Sequence, residues 1–196
     1  MASPEPAPTA KRAAVQAAVL AATEALLSEG ASYADLNIER IATRAGISRT
    51  AFYFYFSDKR ELLMRLTGEV SALLYEQADI WFSGEGDPGD EVSTALRNIA
   101  ALYDEHGVLL RAIVEVSTYD DEVAAYWREL LGRFASASLR RIEEGGVATD
   151  PAATAFALCW MTERTLYQHL VQESAPPVDD LVEALAAIWT RAVYPA

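Results

Sequence analysis

The sequence predicts an all-α protein of about nine helices, and three observations carry that prediction. Apolar residues recur three and four positions apart along most of the chain, and capping residues punctuate those runs at helical intervals. No stretch alternates apolar and polar residues long enough to compete as a β-strand; the aromatics from Phe52 to Phe56 alternate, but the run is short and sits between helix caps. With 196 residues, 52% of them hydrophobic and 23% charged, the chain can bury a sizeable core and falls outside the disordered class.

Residues 1–10, with Pro4, Pro6 and Pro8, predict a flexible tail. A first helix follows from Lys11 to Ser28, with Val15, Ala18, Val19, Ala22 and Leu26 at helical spacing and Gly30 as its stop. Asn37 caps a short helix from Ile38 to Ala45, Gly46-Ile47 makes a tight turn, and Ser48 caps a third helix through Tyr53. Asp58, with Glu61 three residues on as its capping-box partner, opens a long fourth helix. Its apolar stripe is Leu62, Leu66, Val70, Leu73, Leu74 and Trp81. The glycine- and acid-rich run from Ser83 to Asp90 predicts a loop. Five more helices are expected near 91–104, 107–118, 121–144, 152–172 and 179–193. Asp120, Asp121 and Glu122 suit a helix start, and Asp150-Pro151 opens the next helix with proline in its first turn. The Ala175-Pro176-Pro177 segment precedes the last helix, and Pro195 follows it.

Charge divides the chain. The formal net charge is −13, which taken whole disfavours nucleic acid and acidic surfaces. Residues 1–66 nevertheless carry eight Lys/Arg against seven Asp/Glu, and between Arg40 and Arg65 the balance is six to two. Two readings stay open at this level: a local anion-binding surface, or an uneven scatter of surface charge. A single cysteine excludes a disulfide framework and a cysteine-cluster zinc site, and two histidines leave little for metal binding. No metal or cofactor is expected. The Lys11-Arg12 pair before an apolar run resembles part of a signal peptide, but Gln16, Thr23 and Glu24 interrupt it. No apolar stretch reaches the roughly 20 residues that cross a bilayer. A cytoplasmic protein without membrane contact is the expectation.

The stretch Leu36 to Leu63 is the most informative. Two short helices about a turn at Gly46 match a helix-turn-helix, whose second helix enters the DNA major groove, although core helical hairpins share the pattern. Ile38, Ile41, Ala42, Ala45, Ile47, Ala51, Phe52 and Phe56 would form its core, with Arg49, Thr50 and Tyr53 exposed. Arginine bonds bidentately to guanine, and threonine bonds bases or touches a thymine methyl. The hydroxyls of Tyr53 and Tyr55 suit phosphates. Lys59 in the first turn of the fourth helix opposes the helix dipole, a conflict that a bound phosphate would remove and that an exposed lysine tolerates at small cost.

Ile41-Ala42, Ala45-Gly46-Ile47-Ser48, Phe52 through Lys59 and Leu62-Leu63 together resemble the signature of TetR-family transcriptional regulators, over roughly residues 11–66. The resemblance implies a three-helix DNA-binding domain at 11–57 and a helical-bundle ligand-binding and dimerisation domain at 58–196, joined through the fourth helix. By position it implies DNA-facing roles for Arg44, Ser48, Arg49, Thr50, Tyr53, Tyr55 and Lys59. Asn37 and Arg60 depart from the threonine and glutamate frequent there.

In the acidic remainder, Trp127, Leu131 and Phe134 share one helical face, as do Cys159, Thr162 and Leu166, with Tyr167 alongside and Trp189 on the last helix. Such stripes serve either as plain core or as the wall of an apolar pocket with a few polar handles. Glu122-Val123-Ala124 with Trp127, the run Met161 to Tyr167, and Ile188-Trp189 are similar to the ethionamide-resistance repressor subgroup. That similarity implies an aromatic-lined channel and a homodimer through the last two helices. By position it makes Tyr103, Trp127, Leu131, Phe134, Thr162, Tyr167 and Trp189 ligand-binding candidates. Where the subgroup carries two ligand-binding asparagines this chain has Cys159 and Thr162, so a less polar or differently anchored ligand is expected. Glu163-Arg164 reads either as a dimer-interface pair or as a solvated edge.

An enzyme is not expected. Cys159 has no histidine nearby in sequence, no phosphate loop or metal-ligand spacing occurs, and the carboxylates fall at caps, loops and helix surfaces. A purely structural bundle leaves Tyr53, Tyr55 and Lys59 unexplained. The resulting expectation is a repressor released from a palindromic double-stranded operator by a small apolar or aromatic effector.

Overall fold

The computed structural model describes residues 8–171 and 176–194. Among these are nine α-helices and no strand: α1 Pro8–Ser28, α2 Ile38–Arg44, α3 Arg49–Phe52, α4 Lys59–Phe82, α5 Pro88–Glu105, α6 Gly107–Val116, α7 Asp121–Gly145, α8 Pro151–Leu166 and α9 Val178–Val193. The chain divides between Leu66 and Thr67 into two compact units, so the start of α4 groups with the N-terminal unit.

The helix starts follow from local side-chain chemistry. Asn37 accepts from Arg40 N at 2.8 Å, Ser48 from Ala51 N at 3.1 Å, and Asp150 from Ala153 N at 3.0 Å. Asp120 accepts from both Glu122 N and Val123 N. Asp58 takes Glu61 N at 2.8 Å, while the Glu61 carboxylate reaches back to Ser57 N at 2.7 Å. Each such cap removes orphan N–H groups and contributes about 1 kcal/mol. Asn37 is thus a working N-cap for α2.

Three boundaries differ from the sequence expectation. The expected tail falls largely on residues 1–7, outside the described residues, and α1 begins at Pro8, because a first-turn proline needs no hydrogen-bond partner for its nitrogen. The end of the expected loop at 83–90 is helical: Asp87 accepts from Asp90 N at 3.0 Å, and Pro88 again opens the helix. The expected helix over 152–172 ends at Leu166 and widens into a π-type turn at Tyr167–Val171, whose last carbonyl accepts from the Arg111 guanidinium. Ala175 and Pro195 lie outside the described residues.

In the N-terminal unit, Ile41, Ala42, Phe52, Phe56, Leu62 and Leu63 are essentially fully buried, and the Phe52 and Phe56 rings sit 5.4 Å apart. Gly46 turns α2 into α3 at φ +72°, a conformation that costs glycine nothing and strains other residues. Ile38, Ala45, Ile47 and Ala51, expected in this core, are only half-buried.

The C-terminal unit packs α7 along α8 and α5 along α9. At Gly145 the end of α7 passes so close to the Val193 carbonyl of α9 that a Cβ would collide with it. Arg141 pins this end of the unit: its guanidinium donates to Glu91 Oε2 at 2.7 Å, to the Gly84 carbonyl and to Tyr194 Oη at 3.3 Å, and lies 5.7 Å from the Trp81 ring centre. Arg141 and Glu91 are both nearly buried, so removing one strands the other in a poorly solvated place. Arg141→Ala should lower unfolding free energy by about 2–4 kcal/mol in urea titration. A loss comparable to that of an exposed ion pair would contradict this account.

Candidate functional site

The N-terminal unit presents one polar face. Ser48, Arg49 and Thr50 are exposed on the first turn of α3, and Tyr53 follows at 47% exposure. Phe54, just past the end of α3, is 72% exposed, a large apolar side chain that sequence reasoning passed over; its position between two tyrosines was the available signal. Tyr55 is half-buried, with the Arg12 guanidinium 5.6 Å from its ring centre. Arg44 is exposed and held in a bidentate pair with Glu29.

Lys59 is placed otherwise than the sequence suggests. Its ammonium is gathered onto three backbone carbonyls, Tyr33 at 2.7 Å, Ala34 at 3.2 Å and Leu36 at 2.5 Å, and lies 5.0 Å from the Tyr33 ring centre. The Tyr33 hydroxyl donates in return to the Lys59 carbonyl. Partial burial lowers the lysine pKa, opposed by the charge of Asp35. The helix-dipole conflict is thus met internally, by carbonyl oxygens. Lys59→Ala should cost about 1–2 kcal/mol of stability in the absence of DNA, measured by urea titration. A variant equally stable but weaker on DNA would show that the ammonium serves phosphate instead.

The second site is a cavity of about 100 Å³ inside the C-terminal unit. Four successive turns of α4 contribute Thr67, Ser71, Leu74, Ala78 and Trp81, with Phe82 beside them; α5 contributes Val92, Ala95, Leu96, Ile99 and Tyr103. Leu110 of α6, then Trp127, Leu130, Leu131 and Phe134 of α7, Cys159, Thr162 and Glu163 of α8, and Trp189 of α9 complete the wall. Seven of the eight ligand-binding candidates therefore converge here. Tyr167 does not line the cavity; it caps α8 where the helix widens, buried, with Arg164 5.1 Å from its ring centre.

The polar groups of this wall are few and unequally satisfied. Trp189 Nε1 donates to Thr162 Oγ1 at 2.9 Å, and Ser138 Oγ lies 3.9 Å from the Cys159 sulfur. Burial pushes the Cys159 thiol up to about 11, too high for a nucleophile. Trp127 Nε1 has no hydrogen-bond partner among the described residues, nor has either carboxylate oxygen of Glu163. Glu163 is 3% exposed and its nearest cation, Arg164 Nε, stands 3.6 Å away on a half-exposed side chain. Desolvation raises the Glu163 pKa, with Arg164 opposing, and the same carboxylate helps push the buried Tyr103 phenol upward. The solvated-edge reading does not fit Glu163, whose buried carboxylate lies on the cavity wall, whereas Arg164 is half-exposed. Sequence reasoning also missed the α4 wall, whose signal was the run of small residues Thr67, Ser71 and Ala78 beside the apolar stripe.

Because the folded protein holds the Glu163 proton more tightly than the unfolded chain does, stability falls as pH rises from the ordinary carboxylate range through the raised value. Glu163→Gln should melt higher than wild type at neutral pH, with the difference shrinking below the usual carboxylate pKa. Parallel melting curves for the two proteins across pH would refute the shift.

Among the described residues no helix is long and apolar enough to cross a membrane, and no group of His, Cys, Asp and Glu side chains could hold a metal ion. Residues 19–66 match the family "Bacterial regulatory proteins, tetR family", and residues 92–195 match "Transcriptional regulator EthR, C-terminal domain". The HTH-type transcriptional regulator EthR of Mycolicibacterium smegmatis is 32% identical over 193 residues, covering 91% of this chain and 86% of that protein. A TetR-family regulator from Syntrophomonas wolfei shares the fold with a TM-score of 0.73 at 18% identity, covering 97% of this chain and 98% of its own. FadR from Bacillus subtilis, solved with stearoyl-CoA, gives 0.72 at 14% identity, with coverage of 90% and 98%.

Proposed function

Because the chain belongs to the tetR family of bacterial regulatory proteins, carries the C-terminal domain of EthR and is a DNA-binding transcriptional regulator, we propose that it acts as a ligand-released repressor. In this reading it is a homodimer on a palindromic operator, with one α3 per half-site in major grooves about 34 Å apart or a multiple of it. Arg49 and Thr50 read base edges, while Ser48, Tyr53, Tyr55 and Arg44 bind phosphates. Lys59 contributes by fixing the entry to α4.

The observation that carries the ligand part of the proposal is the cavity wall of α4. The helix that begins in the N-terminal unit lines the apolar cavity with Thr67, Ser71, Leu74, Ala78 and Trp81, so an occupant of the cavity bears directly on it. A small, largely apolar ligand that prefers one setting of α4 shifts the dimer between DNA-competent and DNA-released states, to the extent of its differential affinity. Dimerisation through α8 and α9 is supported by the apolar side chains they leave outside: Phe156 is 60% exposed beside Trp160, and Ile188 is 44% exposed.

Selection of bound sequences from a random DNA pool, with and without apolar ligands, tests this. An inverted repeat should be recovered, and the ligand should release it. Arg49→Ala should lose about 1–3 kcal/mol of discrimination at defined base pairs while keeping its affinity for random DNA. Recovery of no preferred sequence, or an Arg49→Ala protein with unchanged preference, would overturn the reading.

A further inference from the structure

Among the described residues Glu163 is the one charged side chain on the wall of the cavity, and it is 3% exposed. A carboxylate held for structural reasons alone is normally hydrogen-bonded, because desolvating it without partners costs several kcal/mol. Neither oxygen of Glu163 has a hydrogen-bond partner among the described residues, and Arg164 Nε, at 3.6 Å, is beyond hydrogen-bond reach. Trp127 Nε1–H, on the same wall, is a second buried polar group without a hydrogen-bond partner among the described residues. The remaining wall is uncharged: hydrocarbon, aromatic rings, the Cys159 thiol and the hydroxyls of Thr67, Ser71, Tyr103 and Thr162, the last of which accepts from Trp189 Nε1.

We propose that Glu163 is the anchor of the cavity and that the effector is a lipophilic amine, its protonated nitrogen donating to the Glu163 carboxylate while its apolar body fills the space between Trp127, Phe134 and Trp189. The proposal rests on the cavity being the effector site and names the ligand's class. An ammonium supplies the donors that the carboxylate lacks and adds to the opposite charge of Arg164, 3.6 Å away on a half-exposed side chain, and in a water-poor cavity such a bond is stronger than between neutral groups. An acceptor elsewhere on the ligand would satisfy Trp127. A carboxylic acid of the same shape meets like charge and loses its own hydration, so the site selects against anionic lipids.

Calorimetric titration of the full chain with phenylbutylamine, phenylbutanol and phenylbutyric acid at neutral pH isolates the head group. The amine should bind about ten-fold more tightly than the alcohol, and the acid more weakly still. Glu163→Gln, nearly the same shape, should abolish the roughly ten-fold preference for the amine over the alcohol. Equal binding of amine and alcohol to wild type, or a preference that survives in Glu163→Gln, would overturn the assignment of the anchor. Leu131→Trp, which fills the cavity, separates the two levels of failure. Alcohol binding that Leu131→Trp removes keeps the cavity as the effector site even when the amine preference fails. Absence of binding by all three compounds, or binding indifferent to Leu131→Trp, overturns the cavity reading together with this one.

Discussion

Everything in this molecule is constrained by a single helix that has to satisfy two cores. α4 runs unbroken from Lys59 to Phe82, and the chain divides within it at Leu66. Leu62, Leu63 and Leu66 are buried at its start, and Val70, Leu74, Ala78 and Trp81 farther along. Within each unit the buried stripe sets which face of the helix turns inward. The tight turn at Gly46, the caps at Asn37, Ser48 and Asp58, and the carbonyl cage around Lys59 all set how the chain enters this helix.

What was legible in the sequence was local. Caps act over three residues, and the helix-turn-helix core is contiguous, so short windows reveal both. The pocket faces of α7 and α8 were legible for the same reason. The α4 wall was not: the expected stripe included Leu73, which is 39% exposed, and the turn of the helix that faces inward depends on which neighbours it meets. Tyr167 is a candidate only through the family resemblance; in the structure it stands at the junction where α8 gives way to the π-type turn, off the cavity wall. Lys59 was read by the rule for isolated helices, whereas the loop at 33–36 supplies the missing negative end.

Charge shows the same lesson at larger scale. The net −13 is carried by residues beyond Leu66, yet the charge that matters most chemically is one carboxylate that escapes any surface tally. Nothing in the spacing of Glu163 distinguishes it from its solvated neighbours on α8. Its meaning comes from what surrounds it: an apolar wall, an arginine too distant to bond, and a phenol whose ionisation it opposes.

The cysteine count, first useful for excluding disulfides and metal clusters, has a practical side. The chain's one thiol is 8% exposed, and burial holds it protonated. It therefore competes poorly for maleimides or spin-label reagents. A cysteine introduced at an exposed position away from α8 and α9, such as Thr50 on α3 or Tyr119 after α6, becomes the preferred attachment point without first deleting a native one. Distances between labels on paired copies, read with and without ligand, then come from a protein whose interior is unaltered.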